Sequence, residues 1–103
     1  MPKRVRIGSL EDFPEGSARE VIVDNRVLAV YCVQGTVYVL DGLCPHQGGP
    51  LGQGRLEGFV VTCPWHGWQY DVRTGQHQSI RPLVHRTFPV TVEGSDVFVD
   101  LDT

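Results

Sequence analysis

The chain has 103 residues, enough for one modest hydrophobic core and too few for two, so we expect one domain spanning residues 1–103. Hydrophobic residues make up 41% of the chain and charged residues 20%, which excludes disordered, collagen-like and coiled-coil classes. The formal net charge is −3 and the nine Lys and Arg are spread along the sequence, so we expect no nucleic-acid partner.

Apolar stretches are short throughout the sequence. None approaches the roughly 20 residues that a membrane-spanning helix requires, and the N-terminus lacks the apolar segment of a signal peptide. We therefore expect no membrane partner and a cytoplasmic location. Three cysteines, an odd number, do not indicate a disulfide framework.

Short alternating or β-branched runs recur in chain order and predict strands. Gln34-Gly35, Thr74-Gly75 and Gly94-Ser95 are turns compact enough for hairpins, and Asp24-Asn25 is a further turn. A helical turn is expected only within Ser9–Ser17, where proline and glycine keep it short. The predicted fold class is all-β, with strands at Arg4–Ile7, Arg19–Asp24, Val27–Val33, Thr36–Leu40, Gly58–Thr62, Trp68–Val72, Val90–Glu93 and Val97–Leu101.

One loop, from Gly42 to Gly58, is unusually rich in glycine and proline. It holds six further Gly or Pro residues between those ends, a density that disfavours regular secondary structure and allows close approach of the backbone. A loop this long in a small domain is usually functional or disordered, and the ligand-type residues at its start favour a functional loop.

Two short segments carry metal-ligand chemistry. Cys44-Pro45-His46 begins the glycine-rich loop, and Cys63-Pro64-Trp65-His66 follows after an interval of sixteen residues. Thiolate and imidazole suit zinc, copper or iron–sulfur centres better than magnesium or calcium. Structural zinc accepts two Cys and two His, but its usual spacing pairs Cys with Cys and His with His, so a zinc-stabilised interaction module is the weaker alternative.

The pattern C-x-H followed by C-x2-H resembles that of the Rieske iron–sulfur proteins at all four positions. The surrounding sequence is also similar, since CPHQGGPL begins at Cys44 and CPWHGWQYD begins at Cys63, followed by Arg73-Thr74-Gly75. Pro82 stands at the position of the family's proline loop. The resemblance extends over essentially the whole chain.

This resemblance implies a Rieske fold, an antiparallel β-sandwich with a small cluster-binding subdomain made of two loops, at about 42–58 and 63–75, and a covering loop at about 78–85. It implies one [2Fe–2S] cluster, with Cys44 and Cys63 on one iron and His46 and His66 on the other. Neutral imidazoles in place of two thiolates raise the cluster potential. The residues expected around the cluster are Gln47, Gly48, Trp65, Gly67, Trp68, Tyr70 and Pro82.

Two departures place the chain within the family. High-potential members carry an additional pair of cysteines, joined as a disulfide, where this chain has Gly49 and Trp65, and a serine where it has Trp68. Loss of a hydroxyl donor to sulfur disfavours the reduced cluster, so the chain is similar to the low-potential ferredoxins of ring-hydroxylating oxygenase systems.

That similarity implies an electron carrier and no catalytic residues. Single electrons would pass from a flavin-containing reductase to a terminal oxygenase or reductase, with docking near His46 and His66. An oxygenase would also need a mononuclear iron site in a separate large domain, for which 103 residues leave no room. The small Rieske-type subunit of an assimilatory nitrite reductase is the alternative within the same fold.

Four other residues lie outside the four-ligand pattern. Tyr70 is either a core aromatic or, as in similar proteins, a hydrogen-bond donor to a ligating cysteine. Cys32 is expected to be a small buried hydrophobic residue. His77 and His85 have no neighbouring cysteine and are expected to be surface or loop histidines.

Overall fold

The computed structural model describes residues 3–44, 48–65 and 67–101 of the chain. Within these residues every strand pair is antiparallel, which confirms the all-β class. The same residues contain no helix long and apolar enough to cross a membrane. The strands are β1 (Arg4–Ser9), β2 (Ala18–Val23), β3 (Arg26–Val33), β4 (Thr36–Asp41), β5 (Arg55–Glu57), β6 (Val60–Thr62), β7 (Gln69–Asp71), β8 (Thr87–Phe88), β9 (Val90–Glu93) and β10 (Asp96–Asp100), with short 3-10 helices at Leu10–Asp12 and Leu51–Gln53.

The strands form three sheets, in the orders β1-β10-β9, β2-β3-β4-β8 and β5-β6-β7. Strand β3 lies inside the four-stranded sheet and is buried on both faces, because successive side chains of a strand point to opposite sides. Leu28, Val30 and Cys32 belong to a core shared with β10, which makes the first two sheets a sandwich. Cys32 is 6% exposed, and the expectation that it is a buried hydrophobic residue is confirmed.

A second core lies on the other face of β3. Ala29, Tyr31 and Val33 pack there with residues of the β5-β6-β7 sheet, including Val61 and Tyr70. This core also contains Cys44 and Cys63, so both cysteines lie at the junction of the central sheet and the small one.

Two-residue turns set the register of the central sheet. Asp24-Asn25 joins β2 to β3, and Gln34-Gly35 joins β3 to β4; all four residues have positive φ. That conformation matches the twist of a two-residue hairpin. Asp24-Asn25 is therefore a hairpin turn as well, and Gly94-Ser95 joins β9 to β10 as predicted.

Two strands and one helix were not expected from the sequence. Strand β5 and the helix Leu51–Gln53 lie within residues 42–58, so the expectation that this loop lacks regular structure is wrong. Strand β5 forms because Leu56 pairs with Val61 of β6, a tertiary pairing that a three-residue run does not reveal. Strand β8 has only two residues, Thr87 and Phe88, and pairs with β4.

Candidate metal centre

Two tight turns of the same size each begin with a cysteine. The backbone N–H of Cys44 donates to the carbonyl of Gly49 at 2.8 Å, and that of Cys63 donates to the carbonyl of Trp68 at the same distance. In each case the partner lies five residues further along the chain. The first turn is also closed by an antiparallel bridge between Leu43 and Pro50, and the second joins β6 to β7.

The two turns bring their cysteines together in an apolar environment. Each cysteine is 1% exposed, and both are free. Burial raises the pKa of the Cys63 thiol, a backbone N–H at Trp65 lowers it, and the charge and hydrogen bond of the adjacent Cys44 sulfur raise it again. A cation that binds both sulfurs replaces their protons and compensates the buried charge of the thiolates.

Gly49 brings the first turn against the second. A methyl group built on its Cα would lie 2.5 Å from the Cys63 sulfur and 3.1 Å from Cβ of Trp65. The backbone of one turn therefore touches the sulfur of the other, and a side chain at position 49 would fill that space. Gly49 and Trp65 face each other, so the extra disulfide of the high-potential members would span these two turns.

Tyr70 extends from β7 to the Cys44 turn. Its hydroxyl oxygen lies 3.3 Å from the Cys44 sulfur, and its side chain is fully buried. Burial first, and then the contact with Cys44, raise the pKa of the Tyr70 phenol. The hydroxyl therefore keeps its proton and is the donor whenever Cys44 is a thiolate.

The structure describes some of the other predicted site residues. His46, Gln47 and His66 lie outside the described residues. Gly48 is exposed, and its N–H donates to the carbonyl of Cys44 at 2.9 Å. Trp68 is half-buried, whereas the exposed residues are Trp65, Gly67 and Pro82.

Two histidines beside the site were not predicted to belong to it. His77 and His85 lie in loop segments, as one of the two expectations had it, but they are 5% and 8% exposed, so they are not surface residues. Both rings contact Tyr70. The Thr74-Gly75 turn does form a hairpin, in which Tyr70 pairs with His77. Continuing the predicted pairing past the turn would have placed His77 opposite Tyr70.

The donor set fits an iron–sulfur centre as far as the structure describes it. Two buried sulfurs lie side by side, one accepts a phenol hydrogen bond, and the lack of a side chain at Gly49 lets the first turn approach the other sulfur. Among residues 3–44, 48–65 and 67–101, no three His, Cys, Asp or Glu side chains converge.

A β-sandwich whose paired turns bury two free cysteines together is suited to bind a metal, since thiolates are ligands of zinc, copper and iron–sulfur centres. The Rieske [2Fe-2S] domain family matches residues 3–93, and the chain belongs to that family.

Relatives and solved structures agree with this assignment. The ferredoxin component of the p-cumate 2,3-dioxygenase system of Pseudomonas putida is 39% identical over 101 residues, which cover 94% of this chain and 85% of the relative. The ferredoxin of carbazole 1,9a-dioxygenase from Nocardioides aromaticivorans IC177 has a TM-score of 0.86 at 28% identity, covering 94% of this chain and 96% of that one. A chain in the complex of reduced oxygenase and oxidised ferredoxin of carbazole 1,9a-dioxygenase has a TM-score of 0.84 at 30% identity, covering 94% and 92%. These similarities confirm the Rieske fold.

Proposed function

We propose that this chain is a ferredoxin that carries one [2Fe–2S] cluster and passes single electrons from a flavin-containing reductase to a terminal oxygenase. The observation that carries the proposal is the pair of buried, free cysteines held together by matched turns in a member of the Rieske family. The relatives are ferredoxin components of dioxygenase systems, which are electron carriers. They favour a carrier over a fixed nitrite reductase subunit or a zinc module.

The proposed ligand set joins the two turns. Cys44 and Cys63 would hold one iron, and His46 and His66 the other. The adjacency of the two sulfurs supports a shared iron, since one cation can then neutralise both thiolates. When bound, the cluster supplies one-electron redox chemistry, and the imidazole ligands raise its potential.

The proposed docking surface lies around the two histidine positions. Leu43 directly precedes Cys44, and Trp65 lies two residues after Cys63. Their side chains are 48% and 49% exposed. Ile80 and Val84, in the covering loop at 78–85, are 43% and 57% exposed. Exposed large apolar side chains on the segments that form a site are typical of a surface that binds a protein partner. We infer that the oxygenase and the reductase dock here, which brings each redox centre close to the cluster.

Anaerobic rapid mixing tests the proposed function. The reduced protein is mixed with terminal oxygenases from the related dioxygenase systems, and reoxidation is followed by absorbance. We expect single-electron reoxidation with a rate that rises with oxygenase concentration. Failure with every oxygenase, together with stable copurification of the chain with a large flavoprotein, would instead support a fixed reductase subunit.

Surface variants test the docking surface separately. Leu43→Ser and Trp65→Ser should lower the second-order rate at least severalfold while the iron and sulfide content stays at the wild-type level. Ile22→Ser is the matched control, because Ile22 is 68% exposed on β2, outside the site segments. If Leu43→Ser and Trp65→Ser react as fast as the control Ile22→Ser, the docking surface lies elsewhere.

A further inference from the structure

The rings of two buried histidines pack against the ring of Tyr70. The ring of His77 lies edge-on to Tyr70, with centroids 5.2 Å apart and an interplanar angle of 85°. The ring of His85 lies at 5.4 Å with a tilt of 40°. The hydroxyl oxygen of Tyr70 lies 3.3 Å from the Cys44 sulfur. These side chains therefore form one contiguous packed unit, which we term the Tyr70 clamp: His77, Tyr70 and His85.

His77 is fixed by the loop that follows it. Its Nδ1 accepts the backbone N–H groups of Ser79 at 3.0 Å and Ile80 at 2.9 Å. The backbone N–H of His77 donates to the carbonyl of Leu83 at 3.0 Å. Trp68 packs edge-on against the same ring, with centroids 4.9 Å apart. A neutral ring that accepts at Nδ1 carries its proton on Nε2. The position of the ring is thus set by four neighbours.

The other nitrogen of His77 argues against a purely structural role. Nε2 is buried and has no hydrogen-bond partner in the described part of the chain. An unsatisfied buried donor lowers stability, so the two hydrogen bonds accepted at Nδ1 do not by themselves explain the histidine at this position. The burial of a histidine beside Tyr70 therefore calls for a functional explanation.

His85 connects the clamp to the turn of Cys44. Its Nε2 donates to the carbonyl of Asp41 at 2.8 Å, and its backbone N–H donates to the carbonyl of Gly75 at 2.7 Å. Asp41 ends β4 three residues before Cys44, and its carboxylate accepts the N–H of Leu43 at 3.1 Å. The second histidine thus fixes the Tyr70 ring relative to the backbone that presents the Cys44 sulfur.

We propose that His77 and His85 are positioning residues that hold the Tyr70 hydroxyl on the Cys44 sulfur and thereby set the midpoint potential of the cluster. A donor to a ligating sulfur stabilises the reduced, more negative cluster more than the oxidised one. If the whole Tyr70 ring could shift sideways, its hydroxyl would lie on the sulfur for only part of the time, and the potential would fall. The inference rests on the proposed function, since it concerns the cluster that the two cysteines would bind.

A mutant cycle tests the clamp. Film voltammetry on cluster-loaded protein compares the midpoint potentials of the wild type and five variants. These are Tyr70→Phe, His77→Leu, His85→Leu and the two double variants that combine a leucine substitution with Tyr70→Phe. Each leucine variant should lower the potential, as Tyr70→Phe does, but by a smaller amount. In the Tyr70→Phe background neither change should shift the potential further, because the hydroxyl that the clamp positions is already absent.

Conservative variants separate positioning from stability. His77→Asn keeps an acceptor near the place of Nδ1, and His85→Gln keeps a donor near the place of Nε2, so each should restore part of the lost potential. Should a leucine variant fail to fold, His77→Phe or His85→Phe replaces it, retaining a ring but losing the hydrogen bonds, and the same outcomes apply. Unchanged potentials in the single variants, or equal shifts with and without the Tyr70 hydroxyl, would overturn the inference. Absence of a cluster from the wild type would instead overturn the proposed function.

Discussion

Substitution of Tyr70 by phenylalanine removes the hydroxyl group and keeps the rest of the side chain. That hydroxyl lies 3.3 Å from the Cys44 sulfur, and burial keeps it protonated. Of the two interpretations that the sequence left open for Tyr70, this geometry favours the hydrogen-bond donor. A test therefore has to separate a change in redox potential from a change in packing.

Removal of that hydroxyl should lower the midpoint potential of the cluster. One hydrogen bond that favours the reduced state by about 1 to 1.5 kcal/mol corresponds to about 40 to 65 mV for a one-electron couple. Film voltammetry of Tyr70→Phe measures this shift, and the visible spectrum should barely change.

Tyr31→Phe is the matched control for Tyr70→Phe. Tyr31 is fully buried in the same core, but its hydroxyl donates to the backbone carbonyl of Leu51 at 2.8 Å. Its loss should cost about 1 to 3 kcal/mol of unfolding free energy, because a buried carbonyl loses its partner. It should shift the potential less than Tyr70→Phe does, because the Tyr31 hydroxyl donates to a carbonyl and not to a sulfur. A Tyr70→Phe shift within about 10 mV of zero, well below the expected value, would make Tyr70 a core residue only.

At the residue scale the sequence predicted the cysteines but not the histidines around Tyr70. Cys44 and Cys63 stand out because their spacing from histidine and their matched turns are local features of the sequence. His77 and His85 carry no such local signal, since their burial results from tertiary packing against Tyr70. Only the pairing across the Thr74-Gly75 turn could have pointed to His77.

Among the connecting elements, the turn after β7 depends most on glycine. Gly75 has a φ of +80°, and a Cβ built there would overlap the carbonyl oxygen of His85. Gly75→Ala therefore combines a disfavoured backbone conformation with a collision against the covering loop. We expect a loss of about 2 to 4 kcal/mol of unfolding free energy, measured by urea titration.

Gly58→Ala isolates the backbone contribution. Gly58 has a φ of +59°, but nothing lies within 4 Å of its built Cβ. Its substitution should cost only about 1 kcal/mol. If Gly75→Ala and Gly58→Ala lose the same unfolding free energy, the backbone at His85 moves away from the new methyl group without loss of stability.

The β3–β4 hairpin is closed by a carboxylate from outside it. Glu15 accepts the N–H groups of Gln34 at 2.7 Å and Gly35 at 2.9 Å, and these two bonds lower the pKa of its carboxyl. A lowered folded pKa means that the contribution of Glu15 to stability is complete above its unfolded pKa and is lost as the pH falls through the folded value.

Substitution of Glu15 tests this pH dependence. Glu15→Gln should remove the part of the acid destabilisation that belongs to Glu15, so its unfolding free energy should vary less with pH than that of the wild type below about pH 5. Glu20→Gln, on an exposed position of β2, is the charge-matched control. Identical pH profiles for the wild type and Glu15→Gln would show that the two bonds do not depend on the charge.

Over the molecule as a whole, the order of strands was more predictable than their assembly. Of the ten strands in the described residues, eight follow alternating or β-branched runs, and the missed strands β5 and β8 have three and two residues. The division into two cores was not predictable, because it depends on β3 being buried on both faces. That division matters for function, since it places Cys32 in one core and the two other cysteines in the second.

The iron and acid-labile sulfide content of anaerobically purified protein tests the central claim most directly, with electron paramagnetic resonance before and after reduction. We predict two irons and two sulfides per chain, with a signal only after reduction. Cys63→Ser should lose the cluster, whereas Cys32→Ala should retain it, because Cys32 lies in the other core. One zinc ion per chain, no sulfide and no signal after reduction would contradict the account.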